Sequence, residues 1–463
     1  MDLLTVLMAS SKPTEGGEPN TIYIDPTYGT NGVGTIADPK NTFVGLTFQS
    51  NYTYKVKRGT SFTSSVAITV NSLTGVTIAA YGDGARPILN FTNTGTGNYA
   101  FRYWTCTNCT IANINITTPG TNSIYTAIQV TSGSGIMIAG MKINNIYYGI
   151  TDGGMGINGA DSPGIIIVNN IIDDVGCDGI YLASCNPPTV SGNTITKINQ
   201  NYGNALGLGN GASGDGVQFD GNYNGFYFAY NIIDRTDAFT GNKYGAIFNS
   251  GAGVSDNASG IIEHNVFSVN AATPGCLHIE RGNGIITRYN TFSGPNTGLR
   301  LGGAYTSNNT IHNNIFKNIK TCIGVGYTTS VGGVVGTKIY NNVFYNWTAF
   351  NNTNGGGCIW TDRVTIEVRN NIFHVAGNTG LCIYNYGSSV YTITNNCYET
   401  NTPAGTPGKG TASITTDPLF KDASNGNFRL SSGSPCIGAG IDVGITEDFE
   451  GNTNANLNLG VYF

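Results

Sequence analysis

A short word that joins Asn to apolar residues recurs along the chain, and its spacing constrains the fold more than any other feature. The copies read N-N-I-I, G-N-T-I, Y-N-I-I, H-N-V-F, Y-N-T-F, N-N-I-F, N-N-V-F, N-N-I-F and N-N-C-Y, with the second letter at Asn170, Asn193, Asn231, Asn265, Asn290, Asn314, Asn342, Asn371 and Asn396. Neighbouring copies are separated by 23, 38, 34, 25, 24, 28, 29 and 25 residues. A period in the twenties with longer insertions is typical of a solenoid. Because each copy is too short for a helical hairpin and rich in β-branched residues, it predicts one coil of an all-β, right-handed parallel β-helix.

The chemistry of the repeated word supports this prediction. Asn tolerates the left-handed backbone region and suits a tight corner between strands. Stacked on successive coils, the Asn side chains can form an amide ladder. The residues two positions after each Asn are expected to stack in one column inside the coils: Ile172, Ile195, Ile233, Phe267, Phe292, Phe316, Phe344, Phe373 and Tyr398.

Bulk composition excludes several classes of protein. Only 11% of the 463 residues are charged, the net charge is −5, and no basic run occurs, so nucleic acid is not expected as a partner. No stretch approaches the roughly 18 apolar residues of a membrane span. The opening residues 1–10 lack the basic start of a secretory signal. We therefore expect an extracellular or virion-attached protein, from which a signal was removed or which leaves its cell by another route.

Ten cysteines invite a disulfide or metal interpretation that their positions do not favour. Four share one repeat position and are expected to stack as small buried residues: Cys276, Cys322, Cys358 and Cys382. Cys106 and Cys109 form C-T-N-C, but a zinc site would need a second pair at metal spacing. The sequence therefore predicts no zinc site at these cysteines and no cofactor, and it leaves calcium open without supporting it.

The chain is expected to divide into three parts. Residues 1–20 form a leader or attachment segment, residues 21–400 the β-helix, and residues 401–463 a C-terminal end segment. The entry T-I-Y-I-D-P at 21–26 resembles the first coil of carbohydrate-active β-helix proteins. The segments D-P-L-F, G-N-F-R-L and G-S-P-C-I-G-A-G resemble the closing segment of bacterial β-helix polysaccharidases. These resemblances imply architecture and not chemistry.

A second strand of each coil can be aligned, and its alternate residues should point to solvent. The aligned rows begin at residues 179, 216, 246, 276, 298, 322, 358 and 382. Their outward positions and immediate neighbours gather, on one face, the candidate catalytic residues Asp215, Asp220, His278, Glu280, Arg281 and Arg300. The same face is expected to carry the candidate substrate-binding residues Tyr181, Gln218, Phe248, Trp360 and Tyr384. Aromatic rings stack on sugar faces and polar groups bind hydroxyls and carboxylates, so an oligosaccharide is expected along this face.

Two reactions on a polysaccharide remain open. A hydrolase uses two carboxylates, held roughly 6.5–9.5 Å apart in inverting enzymes. Two coils separate Asp220 from Glu280 in the alignment, or roughly 9.6 Å at about 4.8 Å per coil, and Asp215 and Asp220 offer another pair. A lyase acting on uronic acids needs a group that binds the sugar carboxylate and groups that move protons. Arg281, Arg300 and His278 have that chemistry.

A local resemblance bears on the lyase alternative. H-I-E-R-G-N-G-I-I-T-R-Y-N-T-F followed by G-L-R-L-G-G resembles the catalytic stretch of the alginate lyase and chondroitinase B family. The resemblance places Arg281 where that family has a catalytic Lys, and Arg300 about two residues from its catalytic Arg. The acidic residues with which the family binds calcium correspond to Pro274 and Cys276, so calcium is not supported.

A non-catalytic function is the other alternative. A receptor-binding or structural β-helix, such as a tail-spike-like fibre, would use the same face to bind a cell-surface glycan. Such a protein would be expected as a homotrimer or as part of a particle.

Overall fold

The computed structural model describes residues 17–92, 95–119, 124–152, 162–183, 185–198, 214–221, 223–236, 244–249, 258–302, 306–326, 334–348, 357–375, 381–399, 407–453 and 457–463. The chain divides into two compact units. The first unit comprises Met1–Asp220 with Asp237–Gly241, and the second comprises Gly221–Thr236 with Asn242–Phe463.

The first unit is built from short strands that recur in one order along the chain. Its strands are β1 (Thr21–Ile24), β2 (Thr53–Lys57), β3 (Ser61–Ser64), β4 (Ile68–Asn71), β5 (Thr77–Tyr81), β6 (Ile88–Phe91), β7 (Gly95–Trp104), β8 (Thr110–Ala112), β9 (Asn115–Thr117), β10 (Ile124–Thr131), β11 (Met137–Ala139), β12 (Lys142–Ile146), β13 (Tyr148–Asp152), β14 (Ile166–Val168), β15 (Ile171–Val175), β16 (Ile180–Ala183), β17 (Thr189–Ser191), β18 (Thr194–Ile198) and β19 (Val217–Asp220).

Three parallel sheets take one strand from each coil of this unit. Sheet A runs β1-β2-β5-β8-β11-β14-β17, sheet B runs β3-β6-β9-β12-β15-β18, and sheet C runs β4-β7-β10-β13-β16-β19. Pairing of each strand with the third strand along is what a chain wound into coils must produce.

The second unit repeats the same architecture. Its parallel strands are β20 (Asn224–Ala229), β21 (Ile232–Arg235), β22 (Ala246–Asn249), β23 (Ser259–Glu263), β24 (Val266–Val269), β25 (Gly275–Ile279), β26 (Ile286–Arg288), β27 (Thr291–Ser293), β28 (Thr297–Leu301), β29 (Thr310–His312), β30 (Ile315–Lys317), β31 (Thr321–Val325), β32 (Thr337–Tyr340), β33 (Val343–Tyr345), β34 (Ile359–Thr361), β35 (Thr365–Arg369), β36 (Ile372–His374), β37 (Ile383–Asn385), β38 (Val390–Thr394) and β39 (Cys397–Tyr398). They continue the A, B, C order from β20 in sheet A to β39 in sheet B. The predicted right-handed parallel β-helix is confirmed.

The predicted Asn ladder is present at the corner between sheets A and B. In the second unit each ladder residue donates through its backbone N–H and its side-chain amide to the next Asn, as Asn290 does to Oδ1 of Asn314 at 2.9 and 3.0 Å. The residue before each ladder Asn adopts a positive φ, for example 57° at Tyr289. This left-handed residue turns the corner, and the buried amides satisfy one another from coil to coil.

The predicted apolar column lies inside the coils directly after the ladder. Phe267, Phe292, Phe316, Phe344 and Phe373 stack with ring centroids 4.7–5.2 Å apart, and Tyr398 continues the stack at 5.0 Å. All ten cysteines are buried free thiols. Cys322, Cys358 and Cys382 occupy equivalent positions of successive coils, because the following residues Ile323, Ile359 and Ile383 are register partners.

The C-terminal segment closes the core of the second unit. It contains the antiparallel strands β40 (Phe420–Asp422) and β41 (Asn427–Leu430), joined by a short 3-10 helix at Ala423–Asn425. Phe428, Cys436, Leu459 and Val461 pack in one buried cluster with the last coils, including Cys397. No helix among the described residues is both long and apolar enough to cross a membrane.

Candidate active site on sheet C

The outer face of sheet C carries the side chains that sequence alignment singled out, and strand register shows how they are placed. In the first unit Tyr181 pairs with Gln218, and Ala183 pairs with Asp220, as aligned. In the second unit His278 pairs with Arg300, Arg300 with Gly324, and Gly324 with Trp360. Trp360 pairs in turn with Tyr384. The predicted coil-to-coil alignment is therefore present within each unit, although His278 and Trp360, at 6% and 8% exposed, are buried.

One row was misaligned by a single residue. Ile247 pairs with His278 and Phe248 pairs with Ile279, whereas the alignment had placed Phe248 opposite His278. The expected outward orientation of Phe248 is wrong, since its ring is 1% exposed and stacks on Phe226 with centroids 4.9 Å apart. A shift of one residue moves a side chain to the opposite face of a strand, so Phe248 belongs to the core and not to a sugar-binding surface.

In the first unit three predicted residues form one hydrogen-bonded group. The Tyr181 hydroxyl donates to Oδ2 of Asp220 at 3.1 Å, and Nε2 of Gln218 donates to the same oxygen at 2.8 Å. Burial, with the adjacent Asp220 carboxylate, raises the pKa of Tyr181 and keeps this phenol protonated. One carboxylate oxygen of Asp220 therefore accepts from two side-chain donors.

Asp215 is placed differently from this group. It is fully buried, and its backbone N–H donates to Oδ1 of Asp178, itself almost fully buried, at 2.5 Å. The expected position of Asp215 on an open face is wrong. A general acid or base has to reach the substrate, and Asp215, at 0% exposed, is more deeply buried than His278 at 6% or Tyr244 at 8%. The expected pairing of Asp220 with Glu280 joins residues of the two units and stays a prediction.

In the second unit, His278 and Arg300 meet a tyrosine that sequence alignment did not select. The Arg300 guanidinium donates from Nη1 to the hydroxyl of Tyr244 at 2.7 Å. The rings of Tyr244 and His278 lie with centroids 4.7 Å apart. Burial and the neighbouring Arg300 charge lower the pKa of His278 to about 3, so its imidazole is neutral near pH 7. A phenol, a neutral imidazole and a guanidinium thus share one site.

A buried arginine holds the backbone that carries Tyr244. Arg235 is fully buried, and its Nη1 donates to the Tyr244 carbonyl oxygen at 2.6 Å. Its register partner on the next coil is Val269, an aliphatic residue. Burying a charged side chain costs free energy unless it is hydrogen-bonded. An Arg at a position where the next coil has Val therefore indicates that the Arg235 guanidinium is needed to hold the Tyr244 backbone.

The remaining predicted residues flank this site. Glu280 and Arg281 follow strand β25 directly and are half-buried, and the Glu280 backbone N–H donates to the Phe248 carbonyl oxygen at 2.9 Å. On the other side of Arg300, Gly324 leaves a gap, since no described heavy atom lies within 4 Å of where its Cβ would be. Trp360 follows this gap and is 8% exposed, with its ring 6.0 Å from that of Tyr386.

We also searched the described residues for a set of side chains that could bind a metal ion. Among the residues that the structure describes, no group of three or more His, Cys, Asp and Glu side chains is arranged to hold a metal ion. The positions that the family resemblance linked to calcium are a half-buried Pro274 and a buried Cys276. These two residues do not fit a calcium site, because neither offers the oxygen-bearing side chain that calcium prefers.

The structure is a parallel β-helix with polar and aromatic side chains in the register columns of sheet C. No protein-family model and no curated protein matches the chain. Solved structures do match. A complex of XylC with xylose is 11% identical with a TM-score of 0.54, covering 95% of this chain and 98% of that chain. A PL6 alginate lyase in complex with a trisaccharide is 14% identical with a TM-score of 0.53, covering 96% and 93%.

A third structure extends this comparison. The PL6 family alginate lyase AlyGC is 14% identical with a TM-score of 0.53, over 83% of this chain and 53% of that chain. At these sequence identities the structural similarity shows a shared fold. It does not show which reaction the protein catalyses, which has to be argued from the residues of the site.

Proposed function

We propose that this protein cleaves a uronate-containing polysaccharide by β-elimination on sheet C of its second unit. The observation that carries the proposal is the contact of Arg300 and His278 with Tyr244. These three side chains supply the chemistry that elimination requires: a carboxylate receptor and two groups that transfer protons. The similar folds of two PL6 alginate lyases, one of them bound to a trisaccharide, support testing the polyuronate alginate first.

Arg300 is the group expected to bind the uronate carboxylate. Its guanidinium can pair with a carboxylate bidentately, and charge neutralisation makes the proton on C5 of the sugar easier to remove. In the elimination the C5–H bond breaks, its electrons form the C4=C5 double bond, and the C4–O4 bond breaks. The departing O4 takes up a proton, so the reaction needs one base and one acid.

His278 and Tyr244 are the residues proposed to move these protons. The imidazole of His278 is neutral before substrate binds, because burial and Arg300 lower its pKa to about 3. A bound carboxylate brings a negative charge beside the ring, which raises the imidazole pKa and strengthens it as a base. The Tyr244 hydroxyl, which accepts from Arg300 at 2.7 Å, is the group proposed to donate to O4. Glu280 and Arg281, directly after the same strand, are proposed to contact the neighbouring sugar.

Elimination is favoured over hydrolysis by the placement of the carboxylates. Hydrolysis needs two carboxyl groups that reach the glycosidic bond. In the first unit Asp215 is fully buried, and Asp220 already accepts two side-chain hydrogen bonds. A non-catalytic glycan-binding protein remains the alternative function, and the following experiment separates all three.

The test is incubation with alginate, polygalacturonate, glycosaminoglycans and neutral polysaccharides, with both ultraviolet absorbance and new reducing ends followed. We expect absorbance from the unsaturated uronate to rise with one acidic polymer, and Arg300→Ala to abolish the rise. Arg429→Ala is the matched control, because it removes an Arg of the same unit that pairs with Glu450 in the C-terminal segment. Reducing ends without absorbance would establish hydrolysis instead, and glycan binding without either product would establish the non-catalytic alternative.

A further inference from the structure

The first unit carries an arginine that is held between two aromatic rings on the outer face of sheet C. The Cζ atom of Arg102 lies 4.2 Å from the ring centroid of Trp104 and 5.2 Å from that of Tyr99. All three residues belong to strand β7. Trp104 is 44% exposed, which is unusual for the largest apolar side chain. Aromatic faces therefore cover the guanidinium, and its N–H groups remain for in-plane partners.

The described residues meet little of the hydrogen-bonding capacity of this guanidinium. Nη2 donates to Oγ1 of Thr131 at 3.4 Å, a long bond. The Nε atom of Arg102 is buried, and no acceptor among the described residues reaches it. Leaving a buried charged donor without a partner costs free energy, so this guanidinium has donor capacity that the described residues do not meet.

No acidic residue is a register neighbour of this pair of side chains. The Cα partners of Arg102 are Thr69 and Gln129, and those of Trp104 are Asn71 and Thr131. In a chain with only 11% charged residues, a guanidinium surrounded by hydroxyl and amide side chains presents a local positive charge. Its complement is an anionic group on a molecule with a face that can stack on the Trp104 indole.

The geometry points to a binding site for an acidic sugar at Arg102 and Trp104, at which the guanidinium pairs with the carboxylate of a uronic acid and the indole packs on the sugar ring. The substrate class rests on the proposed function, to which this inference adds a binding site in the first unit. The Arg fork binds carboxylates bidentately, and an exposed Trp offers a flat apolar surface.

The same outward column continues from this site along the first unit. Register places Arg102, Gln129, Thr151, Tyr181 and Gln218 on successive coils. Strands lie about 4.8 Å apart, so Arg102 and Tyr181 are roughly 14 Å apart along the column. The half-buried amide of Gln129, on the coil next to Arg102, suits the hydroxyl groups of a sugar chain that lies along the sheet, whereas Thr151 on the following coil is buried.

The test measures oligosaccharide binding in the Arg300→Ala variant. This substitution removes the other proposed carboxylate-binding group and the expected cleavage, so the binding that is measured reports on Arg102 and Trp104. The ligands are short alginate and polygalacturonate oligosaccharides and the same oligosaccharides after carboxyl reduction. Two readouts are calorimetric affinity and tryptophan fluorescence. Of the three Trp residues, Trp347 is fully buried and Trp360 is 8% exposed, so Trp104 is the one that a surface ligand can contact most directly.

We expect the acidic oligosaccharide to bind at least about tenfold more tightly than its reduced form, equivalent to about 1.4 kcal/mol, and to change Trp104 fluorescence. Arg102→Met should remove the preference, and Trp104→Phe should remove the fluorescence change. Gln129→Glu places a carboxylate beside Arg102 and should block the acidic ligand while the fold is kept. Arg58→Ala is the matched control, since it removes one Arg of the same unit, bonded to the Gly84 carbonyl.

Retention of the acidic preference in both Arg102→Met and Gln129→Glu would overturn the inference, as would an unchanged fluorescence in the presence of saturating ligand. Cleavage without Arg102-dependent binding would leave the proposed function standing and this site refuted. Arg102-dependent binding without cleavage by the wild-type chain would do the reverse.

Discussion

Nη1 of Arg300 donates to the Tyr244 hydroxyl at 2.7 Å, although the two residues are 56 positions apart in the chain. Arg300 lies on strand β28, whereas Tyr244 precedes strand β22 two coils earlier. The bond spans the coil that carries His278, whose ring lies against Tyr244. The β-helix thus brings together side chains from three different coils: His278 and Arg300 are register partners, whereas Tyr244 lies just before strand β22.

Removing either end of this hydrogen bond should affect catalysis more than folding. Arg300→Lys keeps the charge but loses the fork that binds a carboxylate, and Tyr244→Phe removes the hydroxyl. We expect kcat on the best acidic polymer to fall by about 10²-fold or more in each variant, the usual effect of losing a proton-transfer or charge-stabilising group. Steady-state kinetics with thermal melting as the fold control will measure this. Near-normal kcat in both variants would place the chemistry elsewhere on the sheet.

Arg235 is expected to act on catalysis by positioning Tyr244. Its guanidinium bonds the Tyr244 carbonyl at 2.6 Å from within the core. A displacement of about 1 Å can cost about 10²-fold in rate, so Arg235→Met should lower kcat per folded molecule by roughly tenfold to hundredfold with little change in KM. The kcat of Arg235→Lys, which retains a hydrogen-bond donor, should lie between that of Arg235→Met and that of the wild type. An equal kcat in all three proteins, corrected for the folded fraction, would reduce Arg235 to a packing residue.

Low pH should destabilise the protein in part through His278. Burial and the Arg300 charge lower its pKa to about 3, from 6.5. Between those values the unfolded chain binds a proton that the folded chain does not, so this contribution is complete above about pH 6.5 and is lost as pH falls. Urea unfolding at about pH 7 and about pH 4.5 should show a smaller loss of stability in His278→Gln than in wild type. Burial also lowers the pKa of His312 to about 4, so His312 contributes an equal loss of unfolding free energy at low pH in the wild type and in His278→Gln. Parallel pH profiles for the two proteins would show that His278 titrates normally.

The Asn ladder should contribute strongly to stability at a single position. Asn314 accepts two bonds from Asn290 and donates to Oδ1 of Asn342, all in the buried corner. Asn314→Ala leaves buried donors without an acceptor, which should cost roughly 2–4 kcal/mol of unfolding free energy. Asn144→Ala in strand β12 is the matched control, because that half-buried side chain makes no ladder bond. Equal urea midpoints for the two variants would contradict this role of the ladder.

Most of the fold followed from local sequence. The Asn spacing predicted the coils, and the ladder, the Phe column and most of the sheet C register are present as expected. Repetition makes this kind of prediction reliable, because every coil has the same backbone path and its sequence can be compared with that of its neighbours. A wrong alignment then shows as a break in the pattern.

The alignment failed beside an insertion. Residues 237–243 and 250–257, which flank strand β22, lie outside the described part of the chain, and here the repeat offered no fixed spacing. Placing this strand one residue out of register sent Phe248 to the wrong face. Tyr244 was missed for the same reason, since it precedes the row and belongs to no repeated position. Arg235 had a detectable signal, as a charged residue that aligns with Val269.

The sequence by itself determined the architecture of this protein, because a periodic pattern of corners and apolar residues can be buried in only one way, by stacking coils. It also narrowed the candidate site to one face, since strand alternation decides which side chains point outward. Tertiary structure alone decided which of those side chains meet. Contacts such as Tyr244 with Arg300, and Arg102 between Tyr99 and Trp104, depend on ring orientations and burial, and no spacing along the chain encodes them.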